Sequence, residues 1–105
     1  LAVAPNGDIY PCHRFDGMKE YRIGNVVDGS FNTRLPQMFA TTNLTKKEEC
    51  NDCWAKYYCS GGCAANSIQF AGGITKPYTI GCELMKKRVE CALAIAAIES
   101  GKAEN

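Results

Sequence analysis

The sequence predicts a small, irregular α+β domain with an N-terminal β-hairpin, a cysteine-rich knot and a C-terminal helix. Three observations predict it: turn chemistry between two β-leaning runs at the N terminus, four cysteines packed between Cys50 and Cys63, and a long helical pattern from Thr79. The length of 105 residues fits one small domain. With 12 Lys+Arg against 11 Asp+Glu, the net charge of +1 gives no field to draw nucleic acid or an anionic membrane surface. No apolar run approaches the roughly 20 residues of a membrane span; Cys91 to Ile98 is the longest, and it is rich in alanine. No signal peptide is visible, and a chain opening on Leu1 reads as an excised piece of a longer polypeptide.

The elements follow in order. Leu1 to Ala4 and Asp8 to Tyr10 read as short strands, with Pro5-Asn6-Gly7 supplying the turn. Tyr21 to Val27 is a second β-leaning stretch, closed by Asp28-Gly29-Ser30. Phe31 to Thr42 is ambiguous: Leu35, Met38 and Phe39 have helical spacing, and Pro36 is tolerated in a first turn. Leu44 to Cys63 has room only for short helical turns. Ala64 to Phe70 reads as a turn or two of helix ended by Gly72-Gly73. From Thr79 to Ser100 the pattern is helical. Met85, Val89, Ala92 and Ala96 form one apolar stripe, Leu84, Cys91, Ile95 and Ile98 an adjacent one, and Gly101 with the polar tail ends the helix. So little regular structure leaves a small core, which metal would have to reinforce.

Seven cysteines against one histidine are the informative count. An odd number disfavours a fully paired disulfide framework. Clustered spacing, Cys50-x2-Cys53-x5-Cys59-x3-Cys63, reads as soft-metal ligation in a reducing cytosol, which makes the fold a metal-binding one. Two occupants fit that spacing. A tetrahedral zinc would use Cys50, Cys53, Cys59 and Cys63. An iron–sulfur cluster would send Cys63 elsewhere and take a distant cysteine such as Cys82, as in ferredoxin-type runs. Spacing leaves these two readings even.

The whole pattern, Gly7-x4-Cys12, the four-cysteine run and Cys82, resembles the SPASM domain, the C-terminal auxiliary-cluster module of radical SAM enzymes that modify peptides and proteins. YPCHRF at Tyr10–Phe15, IGNV at Ile23–Val26, CWAKYYCSGGC at Cys53–Cys63 and KPYTIGCELMKKRVECAL at Lys76–Leu93 resemble the thioether-forming maturases of six-cysteine (SCIFF) peptides. The resemblance covers nearly the whole chain. It implies that residues 1–105 are a single SPASM-like domain, the C-terminal part of a longer cytoplasmic oxidoreductase. The implied partners are the N-terminal radical SAM domain of the same polypeptide and a peptide substrate, with no nucleic acid and no membrane. It implies that Cys50, Cys53, Cys59 and Cys82 ligate one [4Fe–4S] cluster, and that Cys12 and Cys63 belong to a second. That second site is incomplete here, because the family's first cysteine, before Gly7-x4-Cys12, has no counterpart. The family's Cys-x3-Cys-x2-Cys motif is also missing: after Cys59-x3-Cys63 the third place is held by Asn66. The chain alone should therefore not cleave S-adenosylmethionine, which belongs to the parent enzyme. Zinc is the expected substitute in an aerobic preparation. A zinc-stabilised binding module and a ferredoxin-like electron carrier are the alternative functions.

Other residues carry weaker expectations. Cys91, nine positions after Cys82, would lie roughly 13–14 Å along a continuous helix and half a turn round it, so it reads as a buried apolar residue rather than a ligand. His13 reads as a solvent-facing ring or a donor to cluster sulfur. Trp54, Tyr57 and Tyr58 interleave with the cysteines and are expected to keep water from the metal. Gly61-Gly62 permits close backbone approach. Lys86-Lys87-Arg88 reads as a solvated helix face, and Arg14 and Lys56 as surface residues.

Overall fold

The computed structural model describes residues 1–103 and divides the chain into two compact units, Leu1–Asn43 and a second that begins at Leu44. The first unit is built on a four-stranded antiparallel meander: β1 (Ala2–Val3), β2 (Asp8–Tyr10), β3 (Gly24–Asn25) and β4 (Ser30–Phe31), in that spatial order. The expected hairpin is present, with Ala2 opposite Tyr10 and Val3 opposite Ile9. Its turn is closed by Gly7 N–H donating to the Ala4 carbonyl (2.9 Å), while the Asn6 side chain accepts from Asp8 N–H (3.0 Å). That Asx geometry is why asparagine suits the position.

The second β-leaning stretch is shorter than its sequence suggests. Lys19–Tyr21 is a 3-10 turn, and only Gly24–Asn25 pair, with Ile9 and Asp8 on one side and Phe31 and Ser30 on the other. Gly24 is buried where any Cβ would collide with the Ser30 carbonyl, so close strand approach requires glycine there. The ambiguous segment is helical: α1 spans Arg34–Thr41 with Pro36 in its first turn. The Asn32 side chain accepts from Arg34 N–H (2.8 Å). Thr41 and Thr42 hydroxyls donate to the Gln37 and Met38 carbonyls, the second of which also accepts from Thr42 N–H (3.2 Å), so the last turn is bonded twice over. The core of this unit is Phe15, fully buried, with its ring 4.7 Å from Tyr21 and 5.6 Å, edge-on, from Phe39. Tyr10 and Ile23 are also buried.

Among its described residues the second unit carries a 3-10 turn at Leu44–Lys46 and four α-helices: α2 (Glu48–Asn51), α3 (Lys56–Cys59), α4 (Ala64–Phe70) and α5 (Thr79–Ala103). The first three are as short as the cysteine-rich sequence implies. Gly73 N–H returns to the Ser67 carbonyl (3.2 Å) past Gly72, whose φ of 92° ends α4 where the glycine pair was expected to end it. The helix from Thr79 is present but runs past Gly101 to Ala103. One glycine costs a helix only about 1 kcal/mol, and Lys102 suits the negative end of its dipole. The rest of the expected terminal tail, residues 104–105, lies outside the described residues. No helix among the described residues is long and apolar enough to cross a membrane.

Buried side chains in this unit are small: Ala55, Ala65, Ser67 and Val89, with Lys47 among them. Val89 is the last covered position of α5, and residues 90–102 are exposed. Of the stripe at Met85, Val89, Ala92 and Ala96, only the first two are therefore packed. Cys91 is exposed as well, which corrects the expectation that it is buried. A helix face can be apolar in pattern without a neighbour to cover it.

Candidate metal centre

Five of the seven cysteines line one cavity of about 380 Å³ in the second unit: Cys50, Cys53, Cys59, Cys63 and Cys82. Local turns bring them there. Cys50 sits in α2 with its N–H bonded to the Lys47 carbonyl (2.9 Å), and Cys53 N–H returns to the Cys50 carbonyl (3.2 Å). Cys59 is the last residue of α3. Ser60, Gly61 and Gly62 then carry φ values of 59°, 99° and 79°, three consecutive left-handed residues that turn the chain to Cys63, the N-cap of α4. Glycine takes two of these positions without strain, and Ser60 is the one non-glycine residue with positive φ among the described residues. Cys82 enters from the first turn of α5, its N–H on the Tyr78 carbonyl (3.0 Å).

The five thiols are not equivalent. Cys50, Cys53, Cys59 and Cys82 are half-buried, whereas Cys63 is exposed; all are unpaired as disulfides. Burial pushes the Cys50 thiol up, and thiolates at Cys53 and Cys59 add to this, with the Lys47 ammonium opposing them. Burial likewise raises Cys82, thiolates at Cys50, Cys59 and Cys53 reinforce the shift, and Lys86 opposes it. Cys50 and Cys82 thus lie in the field of the other cavity sulfurs, and both are harder to ionise without a cation among them.

The donor set is all sulfur, which suits soft metals and iron–sulfur clusters. A single zinc holds its thiolates at about 2.3 Å, which would draw four sulfurs within about 4 Å of one another. Among the described residues no three cysteine, histidine or carboxylate side chains form such a single-ion group. The thiols line one cavity, and an all-sulfur donor set of four half-buried cysteines fits an iron–sulfur cluster.

The remaining candidates lie elsewhere. Cys12 is in the first unit, half-buried between β2 and the 3-10 turn His13–Phe15, and His13 is exposed. Trp54, Tyr57 and Tyr58 are 52%, 79% and 63% exposed and do not line the cavity, so they are not its water barrier. Leu44, Ala55, Pro77 and Met85 line it instead. Within the basic run of α5, Lys87 and Arg88 are solvated as expected, but Lys86 is half-buried and faces the cavity. Lys56 also borders it, its ammonium tied to the Asn51 carbonyl (2.8 Å) and placed 5.2 Å from the Tyr57 ring centre.

Sequence reasoning missed Lys47, which is 5% exposed and donates to the Gly61 carbonyl at 2.6 Å. Its place in the run Lys46-Lys47-Glu48-Glu49 gives no sign of burial. A family model described as SPASM, an iron–sulfur cluster-binding domain, matches residues 1–54, which take in the first unit and the first two cavity cysteines. No curated protein sequence matches the chain.

Proposed function

This chain belongs to the SPASM family of iron–sulfur cluster-binding domains, and on that premise we propose that it is the auxiliary-cluster part of a radical SAM enzyme that installs thioether crosslinks in a ribosomal peptide. The observation that carries the reading is the cavity itself: four half-buried thiols from α2, its following turn, α3 and α5, with Cys63 exposed at its rim. Cys50, Cys53, Cys59 and Cys82 would hold one [4Fe–4S] cluster. That group would supply a one-electron redox site, able to accept the electron released when a substrate radical closes onto a thiolate. Leu44, Ala55, Pro77 and Met85 give the cavity its apolar lining, and solvent access is one of the determinants of a cluster's potential.

Cys63, exposed, and Cys12 in the first unit are the residues that the SPASM pattern gives to a second cluster. Two thiolates fall short of the four that such a cluster takes. The radical chemistry itself would come from an N-terminal radical SAM domain that binds S-adenosylmethionine, and the thioether specificity rests on the wording between the cysteines that resembles SCIFF-peptide maturases.

Anaerobic reconstitution of residues 1–105 with iron and sulfide tests this reading. The expected product is brown, with about four irons and four sulfides per chain. A colourless protein holding one zinc would contradict it.

A further inference from the structure

The second unit buries a full positive charge. Lys47 is 5% exposed, and its ammonium reaches inward to the Gly61 carbonyl rather than out to water. Lysine is seldom buried without a partner of opposite charge. Here, among the described residues, no carboxylate lies within ion-pair distance of it; the acidic partners on offer bind Arg22, Lys76, Lys86 and Lys87. A carbonyl satisfies one of the three N–H donors but supplies no counter-charge. Such burial is unfavourable unless negative charge lies close by.

The negative charge on offer is sulfur. Lys47 lies one turn before Cys50, and its ammonium favours ionisation of that thiol. Its ammonium and the end of its stem lie 3.6–3.8 Å from where a Gly61 Cβ would be, at the turn that links Cys59 to Cys63. Lys47 meets the cavity wall through Gly61, whereas Lys56 and Lys86 line the cavity directly; but Lys86 has Glu83 at 3.6 Å and both are part-exposed, so solvent screens them. Lys47 is the buried one.

We propose that the Lys47 ammonium is the fixed counter-charge of the cluster held by Cys50, Cys53, Cys59 and Cys82, raising its reduction potential while clamping the Gly61–Gly62 turn. The inference rests on the cluster reading above. Reduction adds one negative charge to the cluster, so a buried cation stabilises the reduced state more than the oxidised one. Lys47 acts through the field and through the turn, and is a positioning residue rather than a catalytic one.

The test compares the wild-type chain with Lys47→Met, Lys47→Gln and Lys47→Arg, each reconstituted anaerobically, with iron counted and the midpoint potential measured by redox titration. Expected are wild-type iron in all four and a lower potential in the two neutral variants. At the wild-type midpoint their reduced-to-oxidised ratio should fall about tenfold, which is about 59 mV for one electron, and Lys47→Arg should restore most of it. Wild-type potential in an iron-replete Lys47→Met would overturn the counter-charge. If the neutral variants lose iron, retention by Lys47→Arg supports the need for charge, and loss in that variant too would show that only the shape of the clamp matters. A wild-type chain that forms no cluster overturns the cluster reading itself, and this inference with it.

Discussion

Phe15→Ala separates the two units experimentally. Phe15 is fully buried and packs against the rings of Tyr21 and Phe39. Truncating a buried phenylalanine costs about 3–5 kcal/mol, and the two ring contacts place this site at the upper end. A stability of about 0.05–0.15 kcal/mol per residue gives a unit of this size about 2–6 kcal/mol in all. Removing Phe15 should therefore melt the β-sheet unit at ordinary temperature. All four ligands assigned to the complete cluster lie from Cys50 onward, in the other unit. The expected outcome is loss of the near-ultraviolet circular dichroism of Tyr10 and Tyr21 with iron content kept near the wild-type value. Two results would refute the reasoning: destabilisation below about 1 kcal/mol in urea, or an iron content that falls in step with the sheet.

Two further outcomes follow. The Arg22 side chain, 2.6 Å away, together with Asn25, holds the Asp8 carboxyl below its ordinary value of 3.8, so its contribution to folding is present above that pH and lost as pH falls through the lower folded value. Asp8→Asn should flatten the acid limb of the stability curve without removing it, since Asp28 is held low as well by Ser30; an unchanged acid limb would show that the Arg22 contact is open in solution. Cys91→Ala should keep all iron and change stability by less than about 0.5 kcal/mol, because the side chain is exposed; iron loss would make Cys91 a ligand.

What the sequence made legible was local. Pro5-Asn6-Gly7 between two β-leaning runs specifies its hairpin because an Asx turn needs only neighbouring atoms. Gly72 ends α4 for the same reason. Burial was harder to read. An apolar stripe on α5 states a preference without naming a partner, and the stripe is covered only as far as Val89. Aromatic residues between ligands suggested a water barrier at Trp54, Tyr57 and Tyr58. Tyr57 and Tyr58 lie on α3 and Trp54 just before it, and all three side chains are exposed. Lys47 was illegible because its burial needs Gly61, fourteen residues on, to curl back over it. The four-cysteine run was legible as a cluster of soft donors, and Cys82 was joined to it by resemblance rather than by spacing, because its place on the same cavity needs α5 to begin beside the knot.

The measurement that tests the central claim most directly is the iron content and visible absorption of Cys82→Ser beside the wild-type chain, both reconstituted anaerobically. A cluster held by Cys50, Cys53, Cys59 and Cys82 loses its fourth thiolate in that variant. Its four irons should fall towards zero, or the cluster degrade within the preparation, while the wild-type chain stays brown. Wild-type iron and an unchanged spectrum in Cys82→Ser would contradict the account, because the metal would then be held by Cys50, Cys53, Cys59 and Cys63 alone.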